Sequence, residues 1–203
     1  MNRLICEYPD AIPLELCQTL IERFDSHQAH PDGRILVEDK LRSDGGMHTP
    51  GRRPPKKASV IYLSRRNAVE ADPMFAEAVS QFRERLADSL DAYWDSVGRM
   101  LGIQMTALVD KQLDFIKYSE GIGYYDAHVD AFRESTQWRV VSAVAYLNNL
   151  RKGGETEFIF VGRSISPQAG KVLVFPSFYG CVHRSRLAES DPKYIIAAFV
   201  GFR

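Results

Sequence analysis

A histidine and an aspartate two residues apart, His128-Val129-Asp130, and a later histidine, His183, are the residues of this chain best suited to holding a metal ion. In an extended segment residues i and i+2 project from the same face. His128 and Asp130 would then point together, with Tyr124 and Asp126 beside them. A neutral imidazole and a carboxylate make half a metal site. Taken alone the pair is a weak signal, because short motifs recur by chance. A second imidazole changes its meaning. Two histidines and one carboxylate cover one face of an octahedron and leave three positions open, an arrangement suited to non-haem Fe(II). A structural zinc site is closed by four ligands, usually including cysteines, and Cys6, Cys17 and Cys181 lack the spacing for one. His27, His30 and His48 lie in helix-end or loop sequence and read as surface histidines.

Lys193 opens the otherwise apolar run Lys193-Tyr194-Ile195-Ile196-Ala197-Ala198-Phe199. A lysine there must be solvated or paired. Either it snorkels to water at a strand end, or it forms a salt bridge to an anion inside the fold. Asp126 reads either as an acceptor for an imidazole N–H or as a solvated carboxylate. Cys181, two residues before His183, reads as a buried, inert thiol.

The elements that must position these groups fall into two halves. Pro13 fits a helix start, and Leu14, Cys17, Leu20, Ile21 and Phe24 follow at helical spacing. The helix should end near His27 to Pro31. Residues 31–57 are polar, with Gly33, Gly45, Gly46, Gly51 and Pro54-Pro55, and read as a flexible loop ending in the basic Arg52, Arg53, Lys56 and Lys57. Loops of this length are either functional flaps or solvated linkers. Ala58 to Leu63 reads as a strand. Asp72-Pro73 then caps a second helix, with Phe75, Val79, Phe82, Leu86, Leu90, Tyr93 and Val97 as its core-facing stripe. From about residue 104, strands are expected near 112–118, 137–147, 156–161, 170–175, 180–184 and 193–202, separated by Gly and Pro turns. The expected fold is α+β and mainly β: a jelly-roll core over 104–203, backed by helices within 1–103, all in a single domain, 1–203.

The bulk numbers agree with an ordinary globular domain. Of the 203 residues, 45% are hydrophobic and 26% charged, enough apolar material for a real core. A formal net charge of zero gives no reason to expect nucleic acid as a partner. The sequence shows no apolar run of ~18 residues that would span a membrane and no signal-peptide pattern at its start. With an odd number of cysteines, a reducing cytoplasm is the expected compartment.

From Tyr118 to Tyr194 the chain resembles the Fe(II)- and 2-oxoglutarate-dependent dioxygenase superfamily, in its prolyl 4-hydroxylase-like branch. The blocks occur in order: Tyr118-Ser119-Glu120-Gly121-Ile122-Gly123-Tyr124-Tyr125 leading to His128-Val129-Asp130; Arg139 to Asn148; Gly153-Gly154-Glu155-Thr156-Glu157-Phe158; Pro167 to Pro176; and finally His183 and Lys193-Tyr194. Ile12 to Cys17 also looks like that branch's first helix.

The resemblance implies a double-stranded β-helix of cupin-like jelly-roll type. His128, Asp130 and His183 match the iron ligands. Lys193 matches the cation for the distal carboxylate of 2-oxoglutarate, and Tyr146 a tyrosine that bonds the same carboxylate. Tyr118 and Thr156 match residues lining that pocket. The implied cofactors are Fe(II), 2-oxoglutarate as cosubstrate and O2, with ascorbate as a stimulant. The implied reaction hydroxylates an unactivated C–H while 2-oxoglutarate is decarboxylated to succinate. Related halogenases carry a small residue where Asp130 stands, so hydroxylation is expected. The substrate is expected to be a peptidyl, proline-like residue or a small amino-acid-like molecule. Two other classes stand against this reading: a non-catalytic jelly roll that binds a metal or small ligand, and a zinc or manganese hydrolase. Iron-dependent turnover of 2-oxoglutarate separates them.

Overall fold

The computed structural model describes residues 2–28, 56–63, 72–102 and 108–202. Most of the loop expected over 31–57, with Arg52 and Arg53, lies outside the described residues.

Two helices lie on one side. Helix α1 (Leu14–Gln28) begins one residue later than expected: Pro13 stands just outside, and its carbonyl accepts the Cys17 N–H at 3.0 Å. Leu16, Cys17, Leu20 and Phe24 form its buried face, whereas Leu14, expected on that face, is 64% exposed. Helix α2 (Pro73–Leu101) begins where Asp72-Pro73 predicts. The Asp72 carboxylate accepts from the Met74 and Phe75 N–H groups, both at 3.1 Å, and satisfies two of the donors that a helix N-terminus leaves unpaired. Gly102, at φ 67°, ends the helix in the left-handed conformation that lacks a Cβ penalty for glycine. The whole expected stripe from Phe75 to Val97 is buried.

The strands are β1 (Cys6–Tyr8), β2 (Lys56–Lys57), β3 (Ser59–Tyr62), β4 (Leu108–Tyr118), β5 (Tyr124–His128), β6 (Val141–Tyr146), β7 (Thr156–Phe158), β8 (Arg163–Ile165), β9 (Val172–Pro176), β10 (His183–Ser185) and β11 (Lys193–Phe202). Lys56 and Lys57 are therefore strand, paired with Tyr125 and Tyr124, and not the end of a loop. Residues 137–140 precede β6 as turn and coil, and 180–181 belong to a 3-10 turn. Strands β1 and β8, too short to show an apolar alternation, were not apparent from the sequence.

All pairs are antiparallel. One sheet has the order β1-β9-β6-β11-β4-β3, the other β2-β5-β10-β7-β8. From β5 onward the chain crosses repeatedly between them. Apart from the β7–β8 hairpin, consecutive strands therefore face each other across the core, and their neighbours within a sheet come from distant parts of the chain. This is the jelly-roll core expected from the strand pattern, in the double-stranded β-helix form that the resemblance implies.

The six-stranded sheet is buried on both faces. On β11, Tyr194, Ile196, Ala198 and Val200 pack with the helices, while Ile195, Ala197 and Phe199 pack inside the barrel. On β6, Ala143 and Ala145 face the helices, and Val144 and Tyr146 the interior. Burial on both faces explains why these strands read as continuous apolar runs. The sandwich is closed across the interior by contacts such as Phe158 on Phe175, with ring centroids 5.0 Å apart.

Candidate metal and cosubstrate site

The crossing pattern places β5 beside β10, so His128 and His183 are direct cross-strand partners with ring centroids 4.3 Å apart. Each ring is held by the same local device. The Nδ1 of His128 bonds the Asp126 backbone carbonyl at 2.8 Å, and the Nδ1 of His183 bonds the Cys181 carbonyl at 3.0 Å. A neutral imidazole has one donor and one acceptor nitrogen. Spending the donor at Nδ1 leaves the Nε2 lone pair for a metal. Both Nε2 atoms face Asp130: His128 lies 3.7 Å from Oδ1 and His183 3.8 Å from Oδ2. Among the described residues, this is the one group of three such side chains whose ligand atoms converge, all within 4.8 Å.

Asp130 lies just beyond the end of β5 and is fixed from three sides. Ser142 on β6 donates to Oδ2 at 2.7 Å and shares a 2.7 Å bond with Ser177. Arg139 donates to the Asp130 backbone carbonyl at 3.1 Å. Ala131 N–H donates to the Ser177 carbonyl at 3.0 Å, tying the segment after Asp130 to the loop before β10. Burial alone would raise the Asp130 carboxyl. His183, His128, the Ser142 hydroxyl and Arg139 outweigh it and hold the group below its usual range. Burial, with the neighbouring His183, pushes His128 down to about 3, so its imidazole is neutral at physiological pH. Neutral imidazole nitrogens and an ionised carboxylate oxygen are the donor set that Fe(II) takes. The residues present thus fit that ion.

One expected detail fails. Tyr124 and Asp126 do not share the His128 face as strict alternation would require. A bulge lies between the pairs His183/His128 and Ser185/Tyr125, giving β5 one extra residue. Tyr125 therefore turns to the same side as His128 and stacks on its ring, at 3.5 Å between centroids and 17° between planes. It is the backbone of Asp126 that holds His128.

Deeper in the barrel, Lys193 is 1% exposed, which excludes the snorkelling alternative. Its Nζ donates to the Gly154 carbonyl at 2.6 Å and to Ser185 Oγ at 2.8 Å. It also lies 5.2 Å from the ring centre of Tyr118 and 5.5 Å from that of Tyr146. Tyr146 donates its hydroxyl to Thr156 Oγ1 at 2.7 Å. Burial pushes Lys193 down to about 7, only partly offset by Glu155. Lys193, Tyr118, Tyr146 and Thr156, scattered in sequence, are thus brought together inside the barrel, all of them buried.

Ser142, Ser177, Arg139, Tyr125 and Ser185 were missed by sequence reasoning. Two of them carried a usable signal: Ser142 is the polar residue of an apolar strand, and Ser185 lies two residues beyond His183. The guanidinium of Arg139 lies 3.6 Å from the centre of the Phe199 ring, a contact between distant segments that no local pattern announces.

Residues 113–201 match the model of the 2OG-Fe(II) oxygenase superfamily. Among solved structures, the chain is similar to a viral collagen prolyl hydroxylase from Paramecium Bursaria Chlorella virus-1 in complex with 2OG, at 14% identity, covering 98% of this chain and 97% of that one, TM-score 0.65. It is similar to a Pseudomonas putida prolyl-4-hydroxylase at 20% identity, covering 98% and 93%, TM-score 0.66. A prolyl hydroxylase from Trichoplax adhaerens, in complex with a hypoxia inducible factor oxygen degradation domain peptide fragment, aligns at 15% identity over 98% and 84%, TM-score 0.70. No curated protein matches the chain. At these identities the structural likeness establishes the double-stranded β-helix fold.

Proposed function

We propose that this chain, whose residues 113–201 match the model of the 2OG-Fe(II) oxygenase superfamily, is an oxygenase of that kind and hydroxylates a peptidyl, proline-like residue, with His128, Asp130 and His183 holding iron. Iron, 2-oxoglutarate and O2 together supply the oxidising power for C–H hydroxylation and release succinate and CO2. The chain's own residues hold and orient. The observation that carries the assignment is the convergence of two Nε2 atoms on one carboxylate, with both Nδ1 atoms already committed to backbone carbonyls.

Lys193, Tyr118, Tyr146 and Thr156 form the place for the distal carboxylate of 2-oxoglutarate. A dianion brings negative charge to an ammonium whose hydrogen-bond partners, Gly154 O and Ser185 Oγ, are neutral. Support for a peptidyl substrate comes from the rim. Phe132, two residues beyond Asp130, is 78% exposed, and Tyr179, four before His183, is 75% exposed. Their segments are joined by the Ala131–Ser177 bond, so aromatic surface stands beside the site, suited to a pyrrolidine ring in an extended chain. A hydroxylase related by fold is solved with a peptide fragment. A small amino-acid-like substrate is the competing choice within the same reaction.

We read residues 1–203 as one oxygenase domain. The three cysteines are all free, as a reducing cytoplasm would keep them. No helix of the described residues is long and apolar enough to cross a membrane.

The test is succinate formation by metal-stripped protein given Fe(II), 2-oxoglutarate, ascorbate and oxygen. Turnover that needs both iron and His128, and that rises with proline-containing peptides over free proline, is the expected result. Turnover unchanged in His128→Ala would remove the metal assignment. Stimulation by free amino acids alone would remove the peptidyl one.

A further inference from the structure

One hydroxyl outside the expected site joins two of its side chains. An ammonium has three donors and no acceptor. Two of the Lys193 donors go to Gly154 O and Ser185 Oγ. Ser185 is also hydrogen-bonded to Tyr118, a side chain 2% exposed. A serine hydroxyl can donate once and accept twice, so Ser185 can hold the ammonium and the phenol together. Tyr146 donates to Thr156 beside them. The cluster is rich in donors. The complementary occupant offers only acceptors, as a carboxylate does.

Ser185 reaches this position for a local reason. It lies two residues past His183 on β10, pairs across the strand with Thr156, and faces the Lys193–Tyr118 cross-strand pair.

We propose that Ser185 is a positioning residue for 2-oxoglutarate: hydrogen-bonded to both Lys193 and Tyr118, it holds these two groups in place for the distal carboxylate. This rests on the reading of the pocket given above. Ser185 need not touch the cosubstrate. It sets the direction of groups that do.

Calorimetric titration of the full chain loaded with Mn(II), a redox-inert stand-in, tests this with two ligands. 2-Oxoglutarate has the distal carboxylate; oxalate can chelate the metal but has none. In Ser185→Ala the 2-oxoglutarate Kd should rise roughly tenfold, the scale of one hydrogen bond to a charged group, with oxalate unchanged. Ser185→Thr, which keeps the hydroxyl, should stay within about threefold of wild type. Tyr118→Phe should weaken 2-oxoglutarate alone, and adding Ser185→Ala to it should cost less than the two separate effects multiplied, because both break the same Tyr118–Ser185 hydrogen bond. Unchanged 2-oxoglutarate binding in Ser185→Ala, equal loss of both ligands, or independent effects in the double variant would each overturn the proposal. Failure of the wild-type protein to bind 2-oxoglutarate at all would overturn the reading of the pocket itself.

Discussion

Replacing Lys193 by methionine should make the cosubstrate-free protein more stable at neutral pH. The wild-type side chain is 1% exposed, and burial moves its pKa from 10.5 to about 7. At about 1.4 kcal/mol for each tenfold, the folded state carries roughly 5 kcal/mol of desolvation cost. The sign follows from proton counts. Between pH 7 and 10.5 the unfolded chain binds the lysine proton and the folded chain does not, so stability rises with pH across that window. Below pH 7 both states are protonated and the cost is fully present. Methionine, similar in shape, removes the charge but strips a donor from Gly154 O and Ser185 Oγ, at about 1–2 kcal/mol each. The net gain expected near pH 6.5 is about 1–3 kcal/mol, shrinking toward zero or reversing by pH 10. Urea unfolding of both proteins at the two pH values reads this directly. Adding 2-oxoglutarate at a hundred times its Kd should stabilise the wild type by about 2.7 kcal/mol and leave the variant unmoved. A variant less stable than wild type at pH 6.5, or one equally stabilised by 2-oxoglutarate, would refute the picture of a buried cation awaiting its anion.

The same lysine predicts that 2-oxoglutarate affinity falls as pH rises above about 7, where the free pocket loses its proton and binding must recover it; buffer-dependent calorimetry should show proton uptake at pH 8 and almost none at pH 6. Ser142→Ala frees the Asp130 carboxylate from its 2.7 Å bond and should weaken Fe(II) or Co(II) binding about 10–100-fold, followed by the Co(II) absorption bands. Gly154→Ala places a Cβ 2.6 Å from Leu150 Cδ2 at a φ of 74°, so a loss of more than about 1 kcal/mol and weaker 2-oxoglutarate binding are expected in thermal shift with and without ligand. Asp72→Ala removes the α2 cap and should cost about 1 kcal/mol in denaturant unfolding, with 2-oxoglutarate binding unchanged.

The long periodic elements were legible because many residues vote on each of them. Helix α2 has a full stripe from Phe75 to Val97 and a cap at Asp72, and β11 matches its expected bounds of 193–202. The three expected metal ligands converge, because their spacing matches a family pattern as a set. The remainder depended on geometry that sequence spacing does not carry. The bulge in β5 shifts the alternation by one residue, so Tyr125 meets His128 where Tyr124 and Asp126 were expected. Leu14 satisfies the helical period yet is 64% exposed, outside the packed face. Ser185 was overlooked because its meaning comes from Tyr118 and Lys193, brought to it by other strands.

The alternation of successive strands between two sheets also bears on when the site can exist. His128 and His183 are neighbours although β6, β7, β8 and β9 all lie between them in the chain. Such pairings join residues distant in sequence, and chains dominated by them fold slowly, in milliseconds to seconds. Until then the chain offers iron at most the isolated His128–Asp130 pair, too sparse a set to hold it. A redox-active ion is therefore kept off a half-folded chain whose interior it could oxidise, and the barrel's closure doubles as the licence for metal to bind.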